Sequence, residues 1–189
     1  MAGAAIPPFP LFVLSEDIDV GYVNDVLRRT TESNYNVPVF VVVSIREESD
    51  PYACGPHRAF TKVGDESRAL SGKGMTVVPD SYMSPFIGKT LEDCAAYLSG
   101  TPEDIVWETK FFCALDKHSR EDDTVTLVRI LPDGTLHAVP EKTSRVAGSL
   151  MTYLRDDYER SLERYQRICR KEGKPDRSAG VPWTGPWNS

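Results

Sequence analysis

The chain has 189 residues, of which 40% are hydrophobic and 26% are charged, and its formal net charge is −6. These values exclude a wholly disordered protein, and the acidic balance disfavours nucleic acid as a partner, because a phosphate backbone attracts basic surfaces. No apolar run approaches the roughly 20 residues that span a membrane, and the N-terminus lacks the basic region of a secretory signal, so we expect a cytoplasmic protein with no membrane partner.

The first part of the chain has the pattern of a strand, a helix and a second strand. Residues 11–14 form a short apolar run that is typical of a buried strand. Residues 15–19 offer N-cap and acidic first-turn residues, and apolar residues then recur at helical spacing from Val20 to about Thr31. Residues 37–45 are a second, β-branched run. This order predicts a right-handed βαβ unit with two parallel strands.

Residues 46–85 are rich in glycine, proline, serine and charge, yet they also contain aromatic side chains. A structureless loop of that length is unusual in a compact domain, so short strands are expected there, with 59–63 and 75–78 as the candidates. The sequence from Thr90 to Asp93 has the form of a capping box. It predicts a helix that runs to about Leu98 and ends before Gly100.

The stretch from Trp107 to Pro140 predicts three strands of one sheet. Residues 110–115, 124–131 and 135–139 are β-prone apolar runs. The turn Pro132-Asp133-Gly134 separates the last two, since proline presets φ and glycine accepts a positive φ. These two runs should form an antiparallel hairpin, with residues 110–115 in the same sheet.

Residues 148–171 have the strongest helical pattern in the chain, because apolar side chains recur three or four positions apart. The predicted apolar stripe consists of Leu150, Leu154, Tyr158, Leu162, Tyr165 and Ile168 or Cys169. On the outer surface, Glu163 and Arg167 are spaced to form an i,i+4 ion pair.

These elements predict one α/β (or α+β) domain over residues 1–172. It should contain a single mixed sheet with an N-terminal βαβ unit, a C-terminal β-hairpin and a long C-terminal amphipathic helix. Residues 173–189 form a Pro/Gly/Trp-rich tail. We expect Trp183 and Trp187 to pack onto the domain or onto a second copy of the chain, which makes a homodimer one of the expected assemblies.

Several short motifs follow one another from the middle of the chain to its last helix. They are a helix start at 88–92 (Gly-Lys-Thr-Leu-Glu), a strand that ends in Asp116, a hairpin that ends in Val139-Pro140, and Asp-Tyr-Glu at 157–159. In this order they resemble a small family of uncharacterised bacterial and fungal α/β proteins, over about half of the chain. The asparagine-rich stretch of the bacterial members is replaced by residues 144–148. The resemblance implies an α/β fold and carries over no functional residue.

The loop after the second predicted strand is the first candidate site, because ligands of α/β sheets bind at the carboxyl ends of strands. Cys54 and His57 could serve there as nucleophile and base, and Arg58 could hold a carboxylate through two hydrogen bonds. Aromatic side chains of the same third of the chain are candidates for substrate binding, namely Tyr52, Phe60 and Tyr82. The alternative is a proline-containing surface turn without chemistry.

A second candidate site follows the third predicted strand. Asp116 and His118 could form a pair in which the carboxylate orients a general base, although a polar tripeptide that merely closes a strand is the alternative. If both loops leave the sheet at one edge, Cys54, His57, Asp116 and His118 should converge. A metal site can also be assembled from Cys54, His57, Cys113 and His118. However, structural zinc normally shows two ligand pairs and only one Cys-x-x-His occurs, so no metal is expected.

Motifs for phosphate, dinucleotide and zinc-peptidase sites are absent from the sequence, so no cofactor is expected. The sequence therefore favours a cofactor-independent enzyme that acts on a small-molecule substrate by acid–base chemistry of lyase, isomerase or cyclase type, in an aromatic pocket. The alternative is a non-catalytic binding or protein-interaction module that uses the C-terminal helix and the Trp-rich tail.

Overall fold

The computed structural model describes residues 8–35, 37–43, 77–100, 108–153 and 158–178, without the side chains of 152–153 and 158–161. Within these ranges the chain forms five strands and five helices. The elements in chain order are β1 (Phe9–Val13), α1 (Val20–Ser33), β2 (Phe40–Val42), α2 (Leu91–Ser99), β3 (Phe111–Leu115), α3 (Ser119–Asp122), β4 (Thr124–Ile130), β5 (Leu136–Lys142), α4 (Val146–Tyr153) and α5 (Tyr158–Glu172).

The strands form one mixed sheet in the order β2-β1-β3-β4-β5. The strand β1 is parallel to both of its neighbours, β2 and β3, whereas β4 and β5 are added in antiparallel fashion beyond β3. This confirms the predicted α/β architecture, with a mixed sheet, parallel first strands and a C-terminal hairpin. All five residues of β1 and of β3 are buried, as expected for strands that are covered on both faces.

Successive strand residues point to opposite sides, so the sheet has two faces, and helices cover both of them. We call these the α1 face and the α2 face. The α1 face packs against α1, α4 and α5, and the α2 face packs against α2 and the loop before it. Side chains buried on the α1 face include Leu11, Phe40, Cys113, Leu127, Val139, Val23, Leu27, Leu150 and Leu162. Side chains buried on the α2 face include Phe12, Val41, Phe112, Val128, Ala138, Phe86, Cys94 and Leu98.

The first helix and the second strand occupy the predicted places with shifted ends. Asp19 caps α1, since its Oδ1 accepts a hydrogen bond from the backbone N–H of Tyr22 at 2.8 Å, and the helix continues to Ser33, beyond the predicted end near Thr31. Only Phe40–Val42 of the predicted run 37–45 is in a strand. Residues 44 and 45 lie outside the described ranges.

The capping box of α2 is present as predicted. Thr90 Oγ1 accepts a hydrogen bond from the backbone N–H of Asp93 at 3.2 Å, and the Asp93 carboxylate accepts one from the N–H of Thr90 at 2.9 Å. Together these bonds satisfy two of the N–H groups that a helix start leaves without an intrahelical partner. The helix covers Leu91–Ser99 and ends at Gly100.

The predicted hairpin is confirmed. Gly134 has a φ of +84°, and the backbone N–H of Leu131 donates to the carbonyl of Thr135 at 2.9 Å, which closes the turn. The predicted second strand ends at Val139, but β5 continues through Pro140 to Lys142. That extension was missed because proline, which lacks an N–H, was treated as the end of the strand.

Pro140 is tolerated because it occupies an outward position on an edge strand of the described sheet. The turn bond at Leu131–Thr135 and the bond from the Thr143 N–H to the Asp123 carbonyl fix the alternation of hydrogen-bonded pairs along the hairpin. Pro140 is paired with Thr126 in a pair that exchanges no ladder bonds, so its missing N–H removes no bond to β4.

Two helices, α4 and α5, occupy the place of the predicted C-terminal helix. Residues 154–157 lie outside the described ranges. Leu150, Leu162 and Cys169 are buried, whereas Ile168 is 37% exposed, so Cys169 is the residue that completes the apolar stripe. The helix α5 ends at Gly173, whose φ is +63°, and the N–H of Lys174 bonds the carbonyl of Cys169 at 2.9 Å. This is a glycine-dependent Schellman ending.

A strand predicted at 75–78 is wrong in its described half. Val77 and Val78 are not in a strand; instead the Asn24 side chain makes two bonds to the backbone of Val78, accepting from its N–H at 2.7 Å and donating to its carbonyl at 3.2 Å. A side-chain amide thus takes the place of a strand partner. The other predicted strand, 59–63, lies outside the described residues, as do Trp183 and Trp187.

Candidate functional site

Three strand ends meet at one side of the sheet, which we call the carboxyl edge. Because β2 and β3 are both parallel to β1, their carboxyl ends lie beside Val13, the last residue of β1. The connection from β1 leads through α1 to β2 on one side, and β3 lies on the other side. Such a reversal of strand order leaves a crevice between diverging loops, where open α/β sheets commonly bind ligands.

The segment before α2 crosses this edge and is bonded to the strand ends. Tyr82 Oη donates to the carbonyl of Val43 at 3.3 Å, and Ser84 Oγ donates to the carbonyl of Val13 at 2.6 Å. The N–H of Gly88 then donates to the carbonyl of Leu14 at 2.9 Å. Tyr82 therefore lies at the end of β2, at the edge predicted for the substrate-binding residues.

Tyr82 uses its phenolic proton in the hydrogen bond to the Val43 carbonyl. Burial raises the pKa of its phenol to about 12, although Ser84 pulls the pKa in the other direction. The phenol is therefore protonated throughout the neutral range.

Asp116 follows β3 and is the centre of a compact hydrogen-bond network. Its Oδ1 accepts from the backbone N–H of His118 at 2.8 Å, and its Oδ2 accepts from Thr126 Oγ1 at 3.0 Å. Its own N–H donates to Ser119 Oγ at 2.9 Å. The carboxylate thus fixes the start of α3 and the neighbouring strand β4. Sequence reasoning missed Ser119 and Thr126, although serine and threonine often bond to backbone groups a few positions away, as Ser119 does to the N–H of Asp116.

His118 contacts Asp116 through its main chain rather than through its ring. No hydrogen bond joins the imidazole to another residue in the part of the chain that the structure describes. The side chain is half-buried, and its backbone carbonyl accepts the N–H of Asp122 at 2.9 Å. The residue therefore has a rigid backbone and an imidazole whose nitrogens are not used by the described fold.

The other predicted site residues lie outside the described ranges. These are Cys54, His57, Arg58, Tyr52 and Phe60. The structure does show where their segment begins, because Val43, the last described residue before it, bonds Leu11 through its N–H and Tyr82 through its carbonyl. The chain therefore leaves β2 at the same edge as Asp116 and His118, as the prediction requires. The convergence of the four proposed catalytic side chains stays a prediction.

A second polar cluster joins α1 to the turn that carries His118. Tyr22 Oη donates to the carbonyl of Ser119 at 2.6 Å, the guanidinium of Arg120 lies 5.2 Å from the centre of the Tyr22 ring, and Arg120 pairs with Asp19 at 2.6 Å. Desolvation raises the pKa of the Tyr22 phenol. No spacing in the sequence could have found this cluster, since its members are about a hundred positions apart.

Arg29 makes a further contact between α1 and the end of α3. Its two terminal nitrogens bond the two carboxylate oxygens of Asp123 at 2.7 and 2.8 Å. The hydrogen bonds from this guanidinium hold the pKa of Asp123 below its ordinary value, against a smaller opposing effect of burial. Asp123 has a φ of +54°, a conformation that Asp and Asn adopt more readily than other side chains.

Two of the three described thiols, those of Cys94 and Cys113, are poor nucleophiles and poor metal ligands. Burial raises the pKa of Cys94 to about 12, and the completely buried Cys113 is shifted in the same direction. Cys113 points into the core of the α1 face, which makes it unsuitable for the metal site assembled from the sequence. Among the described residues, no three His, Cys, Asp or Glu side chains are grouped so that they could hold a metal ion.

Searches for similar proteins gave no assignment. No family model matches the chain, and the comparisons with curated proteins and with solved structures found no match either. The resemblance based on short motifs therefore stays a prediction. No helix in the described part of the chain is long and apolar enough to cross a membrane.

Proposed function

We propose that this protein is a cofactor-independent enzyme that acts on a small organic molecule by acid–base chemistry of lyase, isomerase or cyclase type. The observation that carries the proposal is the position of His118. It follows β3 directly at the topological switch point, and none of the hydrogen bonds of the described residues uses its imidazole. A neutral imidazole has one nitrogen that accepts a proton and one that donates a proton, which suits a general base or acid.

The surroundings of His118 support this role. Asp116 and Asp122 hold the backbone of His118 through one hydrogen bond each, which fixes the position of its Cα at this edge. Tyr82 lies at the same edge, two strands away from β3, with its phenolic proton in the bond to the Val43 carbonyl. The segment after Val43 would add Cys54 and His57 as further acid–base or nucleophilic groups and Arg58 for a substrate carboxylate.

Ligand binding at this edge can be tested by NMR of the imidazole nitrogens, because the chain has only three histidines. Each resonance is assigned with one His→Asn variant, and mixtures of small organic acids, amines and sugars are then added. We expect a binding compound to shift the signals of His118 and His57. His137 is the internal control, because it lies at the end of the sheet opposite the carboxyl edge. It is the strand partner of Arg129, which is in turn the partner of Phe111, the first residue of β3.

A compound that shifts His137 alone, or a complete collection that shifts neither His118 nor His57, would contradict a site at this edge. Once a substrate is known, His118→Asn and His57→Asn should each lower kcat by about a hundredfold or more, the usual contribution of general acid–base catalysis. Lys117→Gln, at the exposed position next to His118, is the matched control and should retain full activity. Turnover that survives both histidine changes would remove the proposal.

A further inference from the structure

The outer face of α5 carries a basic stripe, formed by Arg164, Arg167, Ile168 and Lys171. These positions are i, i+3, i+4 and i+7 and therefore lie on one side of a helix. All four are exposed, whereas Leu162, Gln166 and Cys169 on the opposite side are buried. The stripe thus presents three cations around an isoleucine that is 37% exposed.

Of the three cations of the stripe, Arg164 is paired with Glu141, whereas no ion pair among the described residues involves Arg167 or Lys171. The predicted ion pair between Glu163 and Arg167 is not formed, and the ion pair of Glu172 is made with Lys174, at 2.7 Å. Residues 164–177 contain six basic and two acidic residues, a net charge of +4. Because the whole chain has a net charge of −6, the residues outside this segment have a net charge of −10. A local basic surface therefore stands on a strongly acidic protein.

Arg164 is held in place by a carboxylate from the sheet. Glu141, whose side chain is 8% exposed, accepts hydrogen bonds from Arg164 Nη2 at 2.9 Å and from Ser149 Oγ at 2.9 Å. One nitrogen of the guanidinium is used in this way, and the group has further N–H donors. A side chain that is already ordered loses less conformational entropy when it binds a partner.

We propose that the basic stripe binds an acidic segment of another protein, one that places an apolar side chain against Ile168 between carboxylates. The stripe is about 10 Å long, the rise of seven helical residues. This is close to the distance over which physiological salt screens charges, about 8 Å. A short acidic segment is therefore attracted mainly by the stripe. An extended nucleic acid would also be repelled by the acidic remainder of the chain.

The proposal is independent of the enzymatic proposal, since it uses a different surface. It is tested by fluorescence anisotropy with a labelled peptide made of repeats of two glutamates and one leucine. A DNA oligonucleotide of equal charge and a neutral peptide, in which glutamine replaces glutamate, serve as competing probes. We expect the acidic peptide to bind most tightly and its affinity to fall as salt is raised.

The decisive variant is Arg167→Glu with Lys171→Glu, which should weaken peptide binding by about tenfold, as expected for two exposed charges. The control is Lys89→Glu with Lys110→Glu, which changes net charge equally at exposed loop positions before α2 and β3 and should leave the affinity within about twofold. His118→Asn should also leave peptide binding unchanged, which separates this surface from the carboxyl edge. Ile168→Ser should weaken the binding of the acidic peptide that contains leucine, and should leave unchanged the binding of an acidic peptide that lacks leucine.

Three results would overturn the proposal. One is equal weakening by the two double variants, which would indicate attraction by net charge alone. Another is tighter binding of the oligonucleotide than of the peptide. The third is self-association of the wild-type chain in light scattering that disappears in Arg167→Glu with Lys171→Glu, because a second copy would then occupy the stripe.

Discussion

The two faces of the sheet are stabilised in different ways. On the α2 face, Phe12 packs edge-to-face against Phe86, Phe112 and Tyr97, with ring centres 4.7, 5.4 and 6.2 Å away. On the α1 face, apolar packing is supplemented by charged bridges, of which the bonds from Glu141 to α4 and α5 and from Arg29 to Asp123 are the clearest.

This difference has a consequence for how each face responds to change. Aromatic packing depends on shape and buried area and hardly on pH. The contribution of a charged bridge to stability depends on the orientation of its two partners. That contribution changes when one partner is protonated or removed. We therefore expect the α2 face to be most sensitive to truncation and the α1 face to changes of charge.

The largest effect is expected from Phe12→Ala, which removes a fully buried ring from the centre of the aromatic cluster. The variant should lose about 3–5 kcal/mol of unfolding free energy in urea denaturation, the usual cost of a Phe→Ala change in a core. Native-state hydrogen exchange should accelerate in α2 more than in α1. Equal acceleration in both helices would show that the two faces are not separate in stability.

The next effect concerns the bridge on the α1 face. Arg164→Met leaves the Glu141 carboxylate, 8% exposed, without its cation, whereas Glu141→Gln leaves Arg164, 44% exposed, able to turn to water. We expect a loss of about 2–3 kcal/mol for Arg164→Met and about 1 kcal/mol for Glu141→Gln in urea denaturation. The reverse order would mean that Glu141 is hydrated rather than buried.

A smaller effect is expected at the start of α2. Thr90→Ala removes the side chain that caps the N–H of Asp93 and should cost about 1 kcal/mol, whereas Thr90→Ser keeps the acceptor and should cost only a few tenths. Thermal unfolding followed by circular dichroism can measure both. Equal losses in the two variants would show that the methyl group of Thr90, and not the cap, stabilises this end of the helix.

The smallest effect is the pH dependence of the Arg29–Asp123 pair. Because Arg29 lowers the pKa of Asp123 in the folded protein, this carboxylate stabilises the fold above the unfolded pKa of about 3.9 and loses that contribution as pH falls through the folded pKa. The pair is partly exposed, so its contribution at neutral pH should be below about 1 kcal/mol. Asp123→Asn, which keeps an Asx side chain at the positive φ, should lower stability at pH 7 and converge with wild type at strongly acidic pH. A constant difference at all pH values would contradict this.

Local signals in the sequence were sufficient for much of the fold. The Pro132-Asp133-Gly134 turn and the capping box at Thr90 depend on neighbours within a few positions, and both were predicted correctly. The strand order was not predicted, because the choice of β3 as the second neighbour of β1 depends on contacts about a hundred residues apart. The continuation of β5 through Pro140 was missed because a proline inside a strand is tolerated only where its missing N–H costs no ladder bond, as it is here at the edge of the described sheet.

The candidate site was predicted only in part. The position of Asp116 and His118 after a strand could be read from the pattern, and so could their expected edge. The bond from Thr126 to the Asp116 carboxylate could not, because it depends on the register of β3 and β4. The bond from the His118 N–H to the same carboxylate is local, two positions along the chain. The bridge from Arg29 to Asp123 has no local signature at all.

The proline in β5 also limits how copies of this chain could join. Of the four outward backbone positions on β5, Pro140 has no N–H, and the N–H of Lys142 is already bonded to Glu141 at 3.0 Å. A neighbouring molecule that tried to extend the sheet there would find at most half of the donors that a regular strand offers. Growth of a continuous intermolecular sheet along this edge of the described sheet, and the aggregation that follows from it, is therefore hindered by Pro140 together with the bonded N–H of Lys142.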